Sequence, residues 1–296
     1  MWTMPLFAAF ISTLLSVAPD LMALPAWLWG GQERGEVTVA LDPPDDAPAY
    51  RPPILGPRNP DRPLVVIDAG HGGRDPGAIS PQDQRHEKDV TLGLARAIRD
   101  ELLSSGRVRV ALTRDDDRYI NLDERYEIAR RIKGDLFISV HADSAPNRAA
   151  RGATIYTLSE VASDREAAML AARENKADII GGVDMGGGSR DVNLILIDLA
   201  QRESMNVSAA FASRLHREGS PLFPFRPDHH RFAAFIVLKA PDIPSILFES
   251  GYLSNPEDAA WLQSSEGQQR IAKGMRRAIE AHFAREIVAA ARAERV

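Results

Sequence analysis

The chain has 296 residues, a formal net charge of −5 at pH 7 and an ordinary apolar content of 44%. The length accommodates one large domain or two small ones, and the slight acidity disfavours a nucleic-acid partner. The sequence contains no cysteine, which excludes thiolate catalysis, disulfides and cysteine-based zinc fingers. A metal site in this protein would therefore use histidine and carboxylate side chains.

Residues 1–30 differ from the rest because they contain an apolar run over residues 5–17 and neither lysine nor arginine. The run has the length of the apolar core of a secretory signal peptide, although the basic residue that usually precedes such a core is absent. It is shorter than the stretch of about 20 apolar residues that spans a membrane. We therefore expect export, with an uncleaved membrane anchor as the alternative.

A linker is expected over residues 31–62, which are polar and then rich in proline, a composition that favours extended chain. Downstream, short apolar runs alternate with amphipathic helical stretches. Strands are predicted at residues 65–67, 108–113, 136–140, 154–158, 234–238 and 245–249, and helices at residues 88–104, 122–132 and 267–291. This alternation is typical of an α/β domain, here residues 63–291, with a mostly parallel or mixed sheet and helices on both faces.

Between residues 159 and 220 the alternation stops. An alanine-rich helix is predicted at residues 163–178, a glycine-rich loop at residues 181–189 and a second helix at residues 191–215. A connection between two strands does not need about 60 residues. We expect this insert to act as a lid or a docking site. The alternative is a helical excursion that only enlarges the core.

Three potential metal ligands lie at the ends of predicted elements. His71 and His141 each follow a buried strand, and Glu87 lies at the start of the first helix. Strand ends at one edge of a sheet bring such side chains together when the strands are neighbours. Two histidines and one carboxylate form a ligand set that leaves a fourth position open on a catalytic zinc ion.

Glu249 is a candidate general base because it ends an apolar strand, where a carboxylate without a partner would be costly. At the same edge of the sheet it would act on a zinc-activated water. Asp68 and Asp143 flank the two histidines in sequence. Either these carboxylates or backbone carbonyls are expected to orient the second ring nitrogens of the ligands.

The remaining histidines carry weaker signals. His86 adjoins Glu87 and is a rival ligand, but the side chains of neighbouring helical residues diverge. Four further histidines are expected in a solvated loop or on exposed helix faces: His229 and His230 in the loop, and His216 and His282 on helices.

Four separate segments resemble the zinc-dependent N-acetylmuramoyl-L-alanine amidases of the amidase-3 family. They are IDAGHGGRDPGA with His71, HEKDVTL with Glu87, LFISVHADS with His141 and APDIPSILFESGYLSN with Glu249. The resemblance extends over residues 62–284 and implies a twisted six-stranded mixed sheet like that of zinc exopeptidases. It also implies one zinc ion per chain, bound by His71, Glu87 and His141.

The same resemblance makes Glu249 the catalytic carboxylate. The implied reaction is hydrolysis of the amide between the lactyl group of N-acetylmuramic acid and L-alanine in peptidoglycan. A zinc peptidase of related fold is the alternative, but no group dedicated to capturing a free peptide terminus is evident in the sequence. A non-catalytic wall-binding protein is disfavoured because all four site residues are present.

The insert resembles that of the periplasmic cell-division amidases of Gram-negative bacteria. In that subgroup a regulatory helix plugs the active site until a LytM-type activator binds, and a glutamate of the helix occupies the open zinc position. Glu166 is the first candidate for this glutamate, followed by Glu174 and Glu160. Alternatively, Ser163 and Glu166 form a capping box that only closes the start of the helix.

This resemblance further predicts a role in septal cell-wall splitting. A monomer is expected, with peptidoglycan and the activator as partners. The region before residue 62 is too short for the peptidoglycan-targeting amino-terminal domain of the larger amidases in the subgroup. Recruitment is therefore expected to depend on a partner or on affinity for the substrate.

Overall fold

A computed structural model describes the backbone of residues 50–177 and 194–293, and the side chains of residues 50–177 and 199–285. Within these ranges, six strands form one sheet: β1 (Leu64–Ala69), β2 (Arg109–Leu112), β3 (Leu136–His141), β4 (Ala153–Leu158), β5 (Phe225–Ala233) and β6 (Ser245–Glu249). Their spatial order is β2-β1-β3-β6-β4-β5. β4 runs antiparallel to β6, and the other neighbouring pairs are parallel. The predicted six-stranded mixed sheet is confirmed.

The described ranges also contain six α-helices: α1 (Glu87–Ser105), α2 (Leu122–Arg131), α3 (Arg165–Glu174), α4 (Leu194–Gly219), α5 (Pro256–Gln263) and α6 (Ser265–Ala293). α1 and α4 both pack on α6, whereas α2 packs on a short 3-10 helix at Ile236–Leu238. No helix of the described part combines the length and the apolar character needed to cross a bilayer.

The strand β1 shows why helices cover both faces of the sheet. Val65 and Ile67 belong to one buried cluster with apolar side chains of α1, α4 and α6. Leu64 and Val66 belong to a second cluster with side chains of α2 and α3. Because successive side chains of a strand point to opposite faces, a strand with apolar side chains on both faces needs cover on both sides.

Two predicted elements differ from the structure. The prediction of a strand at residues 234–238 is wrong. The strand β5 ends before these residues, and Ile236–Leu238 form the 3-10 helix. β5 lies at the edge of the sheet and is only partly buried, so its sequence FRPDHHRFA has no apolar run to reveal it. The helix predicted at residues 267–291 begins at Ser265. It is preceded by the unpredicted helix α5, whose first amides are capped by the Asn255 side chain.

The histidines predicted to lie on exposed surfaces also differ. His229 and His230 lie in β5 instead of a loop. His282 is 1% exposed, and its Nδ1 is 2.8 Å from Nη1 of Arg214, which donates to it. His216 is half-buried and stacks on His229 with ring centroids 3.4 Å apart. Aromatic and cationic partners from other elements therefore decide these environments.

The helix α3 is shorter than the segment predicted at residues 163–178 and does not start with the predicted capping box. Asp164 is its N-cap residue and accepts a hydrogen bond from the Ala167 amide at 2.9 Å. Ser163 instead donates to the Asp164 carboxylate. The predicted glycine-rich loop at residues 181–189 lies outside the described residues, and the second predicted helix corresponds to α4.

Candidate metal centre and active site

The candidate site lies where the carboxyl ends of β1, β3 and β6 meet at one edge of the sheet. His71 follows β1 by two residues, His141 ends β3 and Glu249 ends β6. The register pairs His141 directly with Glu249 across neighbouring strands. Glu87, the first residue of α1, reaches the same point. The sheet thus brings together four residues that are spread over 179 positions of the sequence, from 71 to 249.

The two histidines share a small buried space with two carboxylates. Glu87 spans them, with Oε2 at 3.2 Å from Nε2 of His71 and Oε1 at 3.2 Å from Nδ1 of His141. Oε2 of Glu174 lies 3.5 Å from Nε2 of His71 and 3.4 Å from Nδ1 of His141. One ligand atom each from His71, His141 and Glu174 falls within 4.8 Å of the others, as in a metal-binding group. All four side chains are buried.

Backbone amides fix the carboxylate of Glu87 between the histidines. Oε1 accepts a hydrogen bond from the Ala142 amide at 2.8 Å, and Oε2 accepts one from the Ala78 amide at 2.9 Å. His86, the rival ligand, is the N-cap residue of α1 and is only partly buried, whereas the Glu87 side chain is fully buried. Neighbouring residues at this helix start therefore have separate environments.

Asp75 orients the first histidine. Its Oδ2 lies 2.8 Å from Nδ1 of His71, so the ring presents Nε2 to the shared space. Asp68 and Asp143, one of the two expected means of orienting the ligands, have other partners. Asp68 accepts hydrogen bonds from side chains of the neighbouring strands, and Asp143 is paired with Arg173 of α3. Asp75 was not predicted, although it lies only four residues after His71 in the same glycine-rich loop.

Glycines leave the space that the histidine rings need. A Cβ on Gly70 would lie 2.5 Å from Cε1 of His141, and a Cβ on Gly77 would lie 2.6 Å from Cδ2 of His71. Gly77 also has a φ of +65°, which favours glycine. His71 itself has a φ of 60°. The loop after β1 therefore holds its histidine in a backbone conformation that is uncommon outside glycine.

Two buried arginines hold this loop in place. Arg125 donates to the carboxylate of Asp68 at 3.0 Å and to the carbonyls of Ala69 and His71, both at 2.9 Å. Arg114 donates to the carbonyl of Ala69 at 2.9 Å. Burial and the neighbouring Arg125 charge lower the pKa of Arg114 to about 10, which leaves it protonated at neutral pH. The position of His71 thus depends on a cationic clamp beneath it.

The residues of the site fit a zinc ion. Nε2 of His71 and Oε1 of Glu249 are buried and have no hydrogen-bond partner among the described residues. The nitrogen–oxygen separations of 3.2 to 3.5 Å around the histidines are close to the edges of about 3.3–3.6 Å of a tetrahedron with zinc-ligand bond lengths. Imidazole nitrogens and carboxylate oxygens are also donors that suit zinc.

Negative charge is concentrated in this space. Burial lowers the pKa of His71, but the charges of Glu87 and Glu174 outweigh burial and hold the pKa well above its ordinary value. Burial raises the pKa of Glu249 well above its ordinary value, and the charge of Asp143 adds to this increase. A cation bound here would offset the excess of carboxylates over positive groups.

The three glutamates of the insert, among which Glu166 was the first candidate to contact zinc, have different surroundings in the structure. The Glu166 carboxylate is paired with Arg226 at 2.6 Å and with Arg231 at 3.1 Å, and Glu174 is the glutamate that lies beside the histidines. Glu166 is in the first turn of α3 and Glu174 at its end, about 12 Å further along the axis. Glu160 precedes α3 and is exposed.

The comparison with known proteins decides the family. Residues 65–281 match the family described as N-acetylmuramoyl-L-alanine amidase, Amidase_3. The chain belongs to this family. The resemblance predicted from four sequence segments is therefore confirmed.

Two curated relatives and one solved structure show the extent of the similarity. The chain is 36% identical over 239 residues to the N-acetylmuramoyl-L-alanine amidase AmiC of Escherichia coli O6:H1, covering 80% of this chain and 57% of AmiC. It is 35% identical over 221 residues to AmiA of Escherichia coli K12, covering 74% of this chain and 76% of AmiA. The catalytic domain of the amidase CwlV from Bacillus (Paenibacillus) polymyxa var. colistinus superposes with a TM-score of 0.55 at 27% identity, covering 75% of this chain and 98% of that domain.

Proposed function

We propose that this protein is a zinc-dependent N-acetylmuramoyl-L-alanine amidase that hydrolyses peptidoglycan. The observation that carries the proposal is the convergence of His71, Glu87 and His141 on one buried point, with Glu249 on the strand next to His141. Membership of the amidase family supplies the bond that is cleaved, the amide between N-acetylmuramic acid and L-alanine.

His71, Glu87 and His141 are the proposed zinc ligands. Zinc bound there would polarise the carbonyl of the scissile amide and activate the attacking water. Asp75 holds the His71 ring in its orientation, and the amides of Ala78 and Ala142 hold the Glu87 carboxylate. Groups fixed in this way keep the donor set in one geometry without rearrangement during the reaction.

Glu249 is the proposed proton carrier. Its Oε2 accepts a hydrogen bond from the Asp143 amide at 3.1 Å, which leaves Oε1 available to take a proton from the attacking water. Burial favours the protonated form of this carboxyl group. The proton is then transferred from Oε1 to the nitrogen of L-alanine as the amide bond breaks.

The helix α3 is proposed to inhibit the enzyme in the conformation described. Glu174 lies at the position that a substrate oxygen would need, 3.5 and 3.4 Å from the two histidine nitrogens. The neighbouring Arg173 pairs with Asp143, and Asn175 donates to the Ala234 carbonyl at 2.8 Å and accepts from the Ile236 amide at 2.9 Å. These contacts support a plug that is fixed at its carboxyl end.

Activation then requires that α3 leaves the site. A LytM-type protein that binds the insert at residues 159–220 is the proposed activator, and export to the periplasm and septal cell-wall splitting are the proposed context. Fractionation of cells that express the tagged full chain tests export. Recovery of the protein only in the cytoplasm would contradict it.

The amidase proposal is tested with purified sacculi and the Glu174→Ala chain, which lacks the carboxylate proposed to inhibit the enzyme. The site variants are made in the same background. The expected products are intact stem peptides with a free L-alanine amino terminus, identified by mass spectrometry. Release of single amino acids would instead indicate a peptidase. His141→Ala is expected to lose both zinc and activity, whereas Glu249→Gln is expected to keep zinc and lose activity by a factor of about 10² or more.

The inhibition proposal has a separate test. Glu174→Ala is expected to raise the basal activity of the full chain on sacculi, because it removes the carboxylate beside the histidines. Glu160→Ala is the matched control, since this exposed glutamate of the insert lies before α3. Full activity of the unmodified chain in the absence of any partner would contradict inhibition by α3.

A further inference from the structure

The contacts of Glu166 define a second charged site beside the first. Its two carboxylate oxygens lie 2.6 and 3.2 Å from guanidinium nitrogens of Arg226, and one of them lies 3.1 Å from Nη2 of Arg231. The hydroxyl group of Tyr252 is 2.9 Å from Nη1 of Arg226. Both arginines belong to β5, so this cationic pair is part of the sheet, and Arg231 also pairs with Asp164 at the start of α3.

The sheet register relates this pair to the candidate proton carrier. Glu249 on β6 pairs with Thr154 on β4, and the adjacent Ala153 pairs with Phe225 on β5. Arg226 follows Phe225, where the register between β4 and β5 shifts. Arg226 is therefore two strand spacings, roughly 10 Å, from Glu249 across the sheet.

A cavity of about 430 Å³ lies between α3 and this edge of the sheet. Asp143, Tyr156 and Tyr252 line it on the side of the sheet, and Glu166 and Met169 line it on the side of α3. Its lining residues contact both sites: the amide of Asp143 donates to Glu249, and Glu166 and Tyr252 contact Arg226. The cavity therefore lies between the candidate proton carrier and the arginine pair.

We infer that Arg226 and Arg231 bind a carboxylate of the substrate's stem peptide, and that Glu166 occupies this site while α3 is in place. Guanidinium groups bind carboxylates through two parallel hydrogen bonds, which is the arrangement that Glu166 makes with Arg226. The inhibitory helix would then carry two substitutes for the substrate: Glu174 at the reacting centre and Glu166 at the recognition site.

The chemistry of the proposed substrate fits the distance. This inference rests on the proposed amidase function, in which the residue after L-alanine is a γ-linked D-glutamate with an α-carboxylate that is either free or amidated. Two extended residues span about 7 Å. Together with the reach of the arginine side chain, this covers the separation between Glu249 and Arg226. The site would distinguish acidic stems from amidated stems.

The inference is tested by peptide binding, which does not require cleavage. The probe is dye-labelled L-Ala-γ-D-Glu-L-Lys, which contains no muramoyl amide, and the comparison probe carries the amidated D-isoglutamine in its second position. Fluorescence anisotropy is measured with the full chain. Glu166→Ala is expected to bind the acidic probe at least tenfold more tightly than the unmodified chain, and at least tenfold more tightly than the amidated probe.

Adding Arg226→Gln to Glu166→Ala is expected to abolish this preference. Arg226→Lys, which keeps the charge but not the two-pronged geometry, is expected to retain part of it and provides a variant with a milder effect on folding. Arg270→Gln is the matched control, because this exposed arginine pairs with Glu266 on α6. Thermal melting verifies that each variant is folded.

Two results would overturn the inference. One is equal binding of the acidic and amidated probes by Glu166→Ala, and the other is an unchanged preference in the double variant with Arg226→Gln. Sacculus hydrolysis is measured separately with the unmodified chain and Glu174→Ala. A lack of amide cleavage by Glu174→Ala would refute the proposed amidase function, whereas the anisotropy results depend only on recognition of the peptide.

Discussion

Replacement of Arg125 by methionine tests the clamp beneath the candidate metal site. Arg125 is 2% exposed and its partner Asp68 is fully buried, so the variant would leave a carboxylate in the core without its cation. Breaking a buried ion pair from one side costs about 3–5 kcal/mol. The carbonyl of His71 also loses its donor, which adds about 1–3 kcal/mol.

The total of about 4–8 kcal/mol is a large part of the 5–15 kcal/mol that stabilises a typical domain. The loss of unfolding free energy in Arg125→Met is measured by urea unfolding at pH 7, with circular dichroism as the signal. Asp68→Asn combined with Arg125→Met is expected to be less destabilised than Arg125→Met alone, because asparagine carries no charge and its side chain still accepts a hydrogen bond. The control is Arg270→Met on the exposed face of α6, with an expected effect within about 0.5 kcal/mol.

The pH dependence gives a second readout of the same pair. Burial alone would raise the pKa of Asp68, but Arg125 and hydrogen bonds from Thr113 and Ser139 hold the pKa below its ordinary value. The stability that this ionised carboxylate contributes is present at neutral pH and is lost as the pH falls below about 4. The difference between the unmodified chain and Arg125→Met should therefore shrink in acid. If Arg125→Met loses less than 1 kcal/mol of unfolding free energy at pH 7, the proposed role of Arg125 as a clamp is refuted.

Three further predictions concern other parts of the fold. Gly70→Ala is expected to displace the His141 ring and to lower the zinc affinity, measured by metal titration, at least tenfold. The control Gly93→Ala within α1 should keep its zinc affinity. Equal zinc affinity in both variants would contradict the close contact at Gly70. The pKa of His282 is lowered to about 4 by burial and by Arg214, so the unfolded chain takes up a proton before the folded chain does as the pH falls below about 6.5. Between pH 7 and pH 5 this site should remove about 2 kcal/mol of stability, and His282→Gln should lack this component in urea unfolding. Chelation of zinc is expected to lower the melting temperature of the unmodified chain but not that of His141→Ala, and the same shift in both would place the metal elsewhere.

The sequence was most informative where burial is complete. β1, β3 and β6 are buried throughout and mostly apolar because they lie inside the sheet with helices on both faces, so their positions were predictable. A polar residue at the end of such a strand is conspicuous, which is why His141 and Glu249 could be selected. The edge strand β5 has neighbours on one side only, and its mixed polar sequence reflects that exposure.

The partners of these residues were less predictable because they depend on three-dimensional detail. Asp75 reaches His71 through a loop whose backbone has positive φ at His71, which a sequence pattern does not reveal. The choice between Glu166 and Glu174 depends on where α3 begins and on the cations of β5 that one end of it meets. The number of residues between these side chains and the histidine motifs did not predict the contact of Asp75 with His71 or that of Glu174 with the two histidines.

The position of β6 in the sheet also governs the order in which the site can be completed. β6 is the last of the described strands in sequence, yet it lies between β3 on one side and β4 on the other. Before it is inserted, the strands β2-β1-β3 and the pair β4-β5 have no shared edge. Such long-range pairing forms late and slowly in folding. The strand that joins the two halves also carries Glu249, the proposed proton carrier, so a chain truncated before residue 245 would retain both histidines but lack both this carboxylate and the link between the two halves of the sheet.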